Sequence, residues 1–134
     1  MSDQFTAVYP QRRSPVKYDQ THYLVYLNES EAEYKADDDA DAVSGYSYTG
    51  DMDDGSTLVE CDELDRDKLI NAVIRTQYLQ TQEDMLKTHQ LQVLMNEAGL
   101  SSLDADKVTQ YQEEWAAFET FRSEAIALVD DWLG

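Results

Sequence analysis

Hydrophobic and polar positions change period along the chain, and the change divides it into a strand-like first half and a helical second half. His22-Tyr23-Leu24-Val25-Tyr26-Leu27 is almost continuously apolar and rich in residues that suit a pleated surface, which predicts a strand with both faces partly covered. Tyr46-Ser47-Tyr48-Thr49 and Thr57-Leu58-Val59-Glu60-Cys61 have the same character and flank a turn-rich stretch from Gly50 to Gly55, so a hairpin with a longer loop is expected there. With the first strand this makes a small antiparallel sheet of about three strands, the smallest number that is stable with one covered face. The acidic sequence from Glu29 to Asp54, within which Tyr46–Thr49 lies, has few large aliphatics and otherwise reads as a solvated loop or frayed helix.

Beyond Asp62 the apolar residues fall at helical spacing. Leu69, Ile70, Val73, Ile74 and Tyr78 define a first helix, with Asp65 and Asp67 at its start, where the helix dipole favours negative charge. Thr81-Gln82-Glu83-Asp84 has the capping-box pattern and opens a second run, which places Leu86, Val93 and Leu94 on one face and stops at Gly99. A third start at Ser101, with Asp104 three residues on, opens the longest segment, in which Val108, Tyr111, Trp115, Phe118, Phe121, Ala125, Leu128 and Trp132 recur by threes and fours. The expected fold is α+β: a small antiparallel sheet packed against a C-terminal bundle of about three helices.

The first 20 residues differ from the rest. Pro10 and Pro15 oppose regular helix or central strand, and Tyr9, Val16 and Tyr18 are the main apolar anchors. Arg12, Arg13 and Lys17 against Asp3 and Asp19 leave this segment net positive by one. Residues 1–20 are therefore expected to form an extended docking arm, with Tyr9, Arg12, Arg13, Val16 and Tyr18 as its partner-binding residues. Residues 21–134 are expected to form a single α+β domain, with strands and acidic loop over 21–61 and helices over 62–134.

Charge narrows the range of partners. The 134 residues carry 28 acidic against 10 basic side chains, a net charge of -18. Such a field argues against phosphate backbones and anionic membrane surfaces, which both need clustered Lys and Arg, and favours cationic or neutral partners. The amino terminus lacks a basic leader with an apolar core, and no stretch approaches the roughly 18 apolar residues of a membrane span, so synthesis in the cytoplasm is expected. Cys61, without a second cysteine, excludes an internal disulfide framework and a thiolate metal site, which points to a reducing compartment.

Little in the sequence points to catalysis or a cofactor. His22 and His89 have no Cys, Asp or His at an established ligand spacing, and His89 lies between Leu86 and Val93 as a packed core histidine would. Cys61 fits a buried structural cysteine better than a nucleophile. Asp51 and Asp53 are spaced as the first two ligands of a calcium loop, but Gly55 falls one position early and Asp62 stands where the loop needs Glu. No P-loop, dinucleotide fingerprint, hydrolase elbow or kinase signature occurs. The expectation is a protein without enzymatic activity, metal or cofactor. Seven of nine tyrosines lie within the first 48 residues, and they serve equally well as strand residues or as an interface.

Three phrases, Gly45-Tyr46-Ser47-Tyr48-Thr49-Gly50, Asp54-Gly55-Ser56-Thr57-Leu58-Val59-Glu60 and Arg66-Asp67-Lys68-Leu69-Ile70-Asn71-Ala72-Val73-Ile74-Arg75, resemble a module at the ends of tail-fibre-like and other virion-associated proteins of phages and prophages. In that module a short strand pair leads into a helix, followed by a second helix near an acidic pair and a last helix with spaced aromatics and an Arg. Tyr78, Glu83-Asp84, Tyr111, Phe118 and Arg122 take those places, so the resemblance covers roughly residues 44 to 126. It departs at Ser56, where the module tends to have glycine, and at Leu79-Gln80, which lacks the serine after tyrosine. The resemblance implies a virion or assembly context and no chemistry. The function expected is that of a structural or accessory phage protein in a tail, tail fibre, connector or assembly component, located in the virion and present in many copies or as a homo-oligomer with other virion subunits as partners. The alternative is an acidic DNA mimic that occupies the basic groove of a host nucleic-acid-binding or defence protein.

Overall fold

A computed structural model describes residues 4–134, and Met1, Ser2 and Asp3 of the expected arm lie outside the described residues. The fold is α+β, with two three-stranded antiparallel sheets followed by three helices. The chain divides into two compact units between Leu64 and Asp65.

Among the described residues the first unit holds six strands: β1 (Phe5–Tyr9), β2 (Val16–Lys17), β3 (His22–Val25), β4 (Ser30–Tyr34), β5 (Val43–Gly50) and β6 (Thr57–Glu60). One sheet has the order β1-β5-β4 and the other β2-β3-β6. The expected hairpin between residues 46–49 and 57–61 does not form. Both edges of β5 are already paired, Phe5 to Tyr9 against Gly50 to Tyr46 and Ser30 to Tyr34 against Ser47 to Val43, while β6 pairs with β3. Ser30–Tyr34, expected as loop or frayed helix, is strand β4 because Glu31 and Glu33 alternate outward with half-buried Ala32 and Tyr34. Charged residues of this kind also blunt an edge strand.

The arm is extended, as its prolines require, but it is not detached. Residues 5–9 and 16–17 are strand-paired, and Pro10 and Pro15 fall in the connection between β1 and β2, where no ladder needs their missing N–H. Tyr23, Val25, Tyr26, Tyr48 and Val59 form the apolar interior of this unit. Asn28 takes a left-handed φ of 58° in the turn to β4, and its amide donates to the Thr49 carbonyl at 3.1 Å.

The second unit is built on one long helix. Helix α1 (Arg66–Arg75) starts at Asp65, whose carboxylate accepts from the Lys68 N–H at 3.1 Å, and it buries Leu69, Ala72, Val73 and Ile74. Helix α2 (Gln80–Glu97) starts one residue before the predicted cap, and the Gln82 side chain reaches back to accept from the Leu79 N–H at 2.7 Å. It ends in a Schellman motif: Gly99 N–H bonds Asn96 O and Leu100 N–H bonds Met95 O, with Gly99 at φ 76°. Helix α3 (Ala105–Leu133) is 29 residues long and capped by Asp104, not Ser101. Both shorter helices pack on α3. Tyr78 packs edge-on against Phe118 with ring centroids 5.1 Å apart, and Arg66 bonds Asp130 at 2.6 Å.

Two glycines at positive φ separate strain from crowding. Gly55 has φ 82°, and a Cβ there would fall 2.7 Å from the Tyr48 carbonyl oxygen, whereas Gly99 has open space around it. Gly55→Ala is expected to cost about 2 kcal/mol or more and Gly99→Ala about 1 kcal/mol, read as shifts in the urea midpoint. Equal shifts at the two sites would show that the close approach to Tyr48 carries no weight.

Candidate functional site

Three of the five residues expected to dock a partner are engaged inside the first unit. Tyr9, Tyr26 and Tyr48 form an aromatic cluster with centroids 5.5 to 6.1 Å apart. The Arg13 guanidinium lies 4.9 Å from both the Tyr9 and Tyr26 ring centroids and donates to the Tyr26 hydroxyl at 3.1 Å. From there the Tyr26 hydroxyl donates to an Asp54 carboxylate oxygen at 3.4 Å, and Tyr9 donates to the Asp54 carbonyl at 2.5 Å. A second relay begins at the Arg13 backbone N–H, which donates to the Tyr48 hydroxyl at 3.1 Å. Tyr48 donates on to Glu29 at 2.8 Å, and Glu29 accepts from Arg12 at 3.0 Å.

The cluster fixes the charge state of its members. Burial pushes the Tyr48 hydroxyl up to about 12; the Arg13 N–H opposes the rise and the Glu29 carboxylate adds to it. Tyr9 is raised by burial and by the neighbouring Tyr26 and Asp54. Arg13 is held above its ordinary value, first by the Tyr26 hydroxyl. Burial alone would raise Asp54, but hydrogen bonds from Ser56 and Tyr26 outweigh it and hold the carboxyl low. Ser56 is fully buried and donates to Asp54 from both its backbone and its hydroxyl, so serine here makes a bond that glycine cannot. The arrangement is a locked polar core, and its Arg13 Nε–H is buried without a hydrogen-bond partner among the described residues.

Val16 and Tyr18, the remaining two docking candidates, are exposed. The residues weighed for chemistry are dispersed. His22 Nδ1 pairs with Asp19 at 2.9 Å, and buried Cys61 donates to the Glu63 carbonyl at 3.1 Å. Asp51 accepts from the Leu58 N–H at 3.2 Å. His89 stacks on Tyr111 at 3.8 Å and pairs with Glu114 at 3.2 Å between α2 and α3. Among the described residues no three His, Cys, Asp or Glu side chains come together as a ligand set. No described helix is long and apolar enough to cross a membrane.

Sequence reasoning missed the surface of α2. Leu86 and Val93 face inward as expected, but Leu94 is 50% exposed, because one residue along a helix is a turn of about 100° away from Val93. Leu94 belongs to a second row, Leu91, Leu94, Met95 and Ala98, at i, i+3, i+4 and i+7. Leu91 is 56% exposed, and Leu100 just past the helix end is 74% exposed. The available signal was that α2 carries apolar residues on two faces, more than one neighbouring helix can cover. Compared with known proteins, the chain matches no family model, no curated protein and no solved structure.

Proposed function

We propose that this chain works by protein-protein contact, without catalysis, as a structural or accessory component of a phage particle in which it occurs in many copies. The observation that carries the contact is the solvent-facing apolar row on α2, which has the spacing of a helix-pairing seam. A second copy is a suitable occupant, because the same row on two copies is self-complementary about a two-fold axis. The virion context rests on the resemblance of residues 44 to 126, supported by a helix at Arg66–Arg75 where that module has one. A DNA mimic has less support, because Asp37, Asp38, Asp39 and Asp41 lie in the turns between β4 and β5 and not along a stiff element.

Point changes test this better than removal of the arm, which would strip strands from both sheets. The tagged chain should sediment with particles in lysates of the cells that encode it. Leu91→Glu combined with Leu94→Glu should leave it at the top of the gradient with an unchanged circular dichroism spectrum. A wild-type chain that stays at the top defeats the virion reading. A double variant that still travels with particles removes α2 from the contact.

A further inference from the structure

A groove of about 450 Å³ runs along β4 and β5, lined by residues 31–33 and 42–46, with Ala32, Ala42 and Val43 as its apolar part. The register places Glu31 opposite Tyr46 and Glu33 opposite Ser44, and strand alternation puts all four on one face. Glu29 lies just ahead of the strand, two residues before Glu31. Its position is filled by a cation of the chain itself: Arg12 bonds Glu29 at 3.0 Å while its guanidinium lies 5.6 Å from the Tyr46 ring centroid. Glu31 and Glu33 are exposed and pair with no cation among the described residues. The face thus holds one arginine in place and presents two further carboxylates and a hydroxyl beside it.

We infer that the β4–β5 groove is a docking site for an extended basic segment of a partner protein, carrying arginine or lysine at alternate positions. Spacing gives the reason for alternation. Glu31 and Glu33 are about 6.6 Å apart along their strand, and an extended segment presents its own i and i+2 side chains on one face at the same interval. Carboxylate and aromatic ring together suit a guanidinium, which pairs and stacks at once, as Arg12 does. The net charge of -18 steers such a segment toward the protein, and the groove determines where it stays.

The test uses the full chain and two labelled peptides of equal composition, one with arginines alternating with serines and one with the arginines adjacent, titrated by fluorescence anisotropy. The alternating peptide should bind more tightly. Glu31→Gln combined with Glu33→Gln should weaken it about tenfold, whereas Asp38→Asn with Asp41→Asn, which removes equal charge from the connecting turns, should change it less than about twofold. Both pairs are exposed, so folding is preserved. Equal losses in the two double variants, equal binding of the two peptides, or no binding by the wild-type chain would each overturn the proposal, the first two by reducing it to the general field. Self-association through α2 does not enter this readout.

Discussion

Tyr48→Ala is expected to unfold the first unit under conditions in which the wild-type chain is folded. Tyr48 is 1% exposed, its ring contacts those of Tyr9 and Tyr26, and its hydroxyl joins the Arg13 backbone to Glu29. Truncating a buried aromatic costs about 3–5 kcal/mol, comparable with the whole stability of a unit this small. Tyr48→Phe keeps the ring and removes only the relay, so about 1–2 kcal/mol is expected. Amide hydrogen exchange along β5 reads both: the alanine variant should exchange at nearly unfolded rates and the phenylalanine variant in between. Full protection of β5 in Tyr48→Ala would mean that the tyrosine cluster is not what holds the two sheets. The wild-type unit should also be sensitive to alkali. Because the folded Tyr48 value, about 12, lies above the ordinary 10.0, its contribution is fully present below pH 10.0 and is lost as pH rises toward about 12.

Arg75→Ala should be the most damaging polar change in the second unit. Arg75 bonds the Tyr78 carbonyl at 3.1 Å, the Gln80 side chain at 2.7 Å and Glu83 at 3.0 Å, so it ties the end of α1 to the start of α2. Glu83 is buried, and Lys87 at 2.7 Å is its other cation. Removing Arg75 leaves a largely buried carboxylate with one exposed partner, and about 3 kcal/mol is expected to be lost. Lys87→Ala, at an exposed i,i+4 position, should lose no more than about 0.5 kcal/mol. Trp115 and Trp132 both belong to this unit, so urea unfolding followed by tryptophan fluorescence reports the contrast. Similar small losses in both variants would place the corner's stability in apolar packing alone. Burial would raise the Glu83 pKa, but Lys87 and Arg75 outweigh it and hold the carboxyl low. A lowered native value contributes stability above the ordinary glutamate value, 4.5, and that contribution is lost as pH falls below it through the native one. Acid should therefore weaken wild type more than Glu83→Gln.

The helical half was more legible than the strand half, for a physical reason. A helix is specified by its own residues: Leu69, Val73 and Ile74 fall on one face, Asp65 caps it, and Gly99 stops α2 with a local motif. A strand is completed by residues far away. Nothing near Phe5–Tyr9 announces that its partner is Tyr46–Gly50, and the acidity of Glu29–Tyr34 obscured an alternation that is plain once β5 lies beside it. The same non-locality hid the site. Tyr9, Arg12 and Arg13 were recognisable as contact-making residues, but the contacts they make are with Tyr26, Tyr48, Glu29 and Asp54 of their own unit. On α2 the sequence pattern places Leu94 on the inward face with Leu86 and Val93, whereas in the structure it belongs with Leu91 and Met95 to an exposed row.

Contact through that row is the central claim, and sedimentation equilibrium of the wild-type chain over a range of concentration and salt tests it most directly. Copies that each carry a charge of -18 repel, so screening should favour their association. The account predicts a mass that rises above 15.4 kDa toward a whole-number multiple as concentration and salt increase, and that stays at 15.4 kDa in the Leu91→Glu, Leu94→Glu variant. A wild-type chain that remains at 15.4 kDa throughout would contradict self-association through α2.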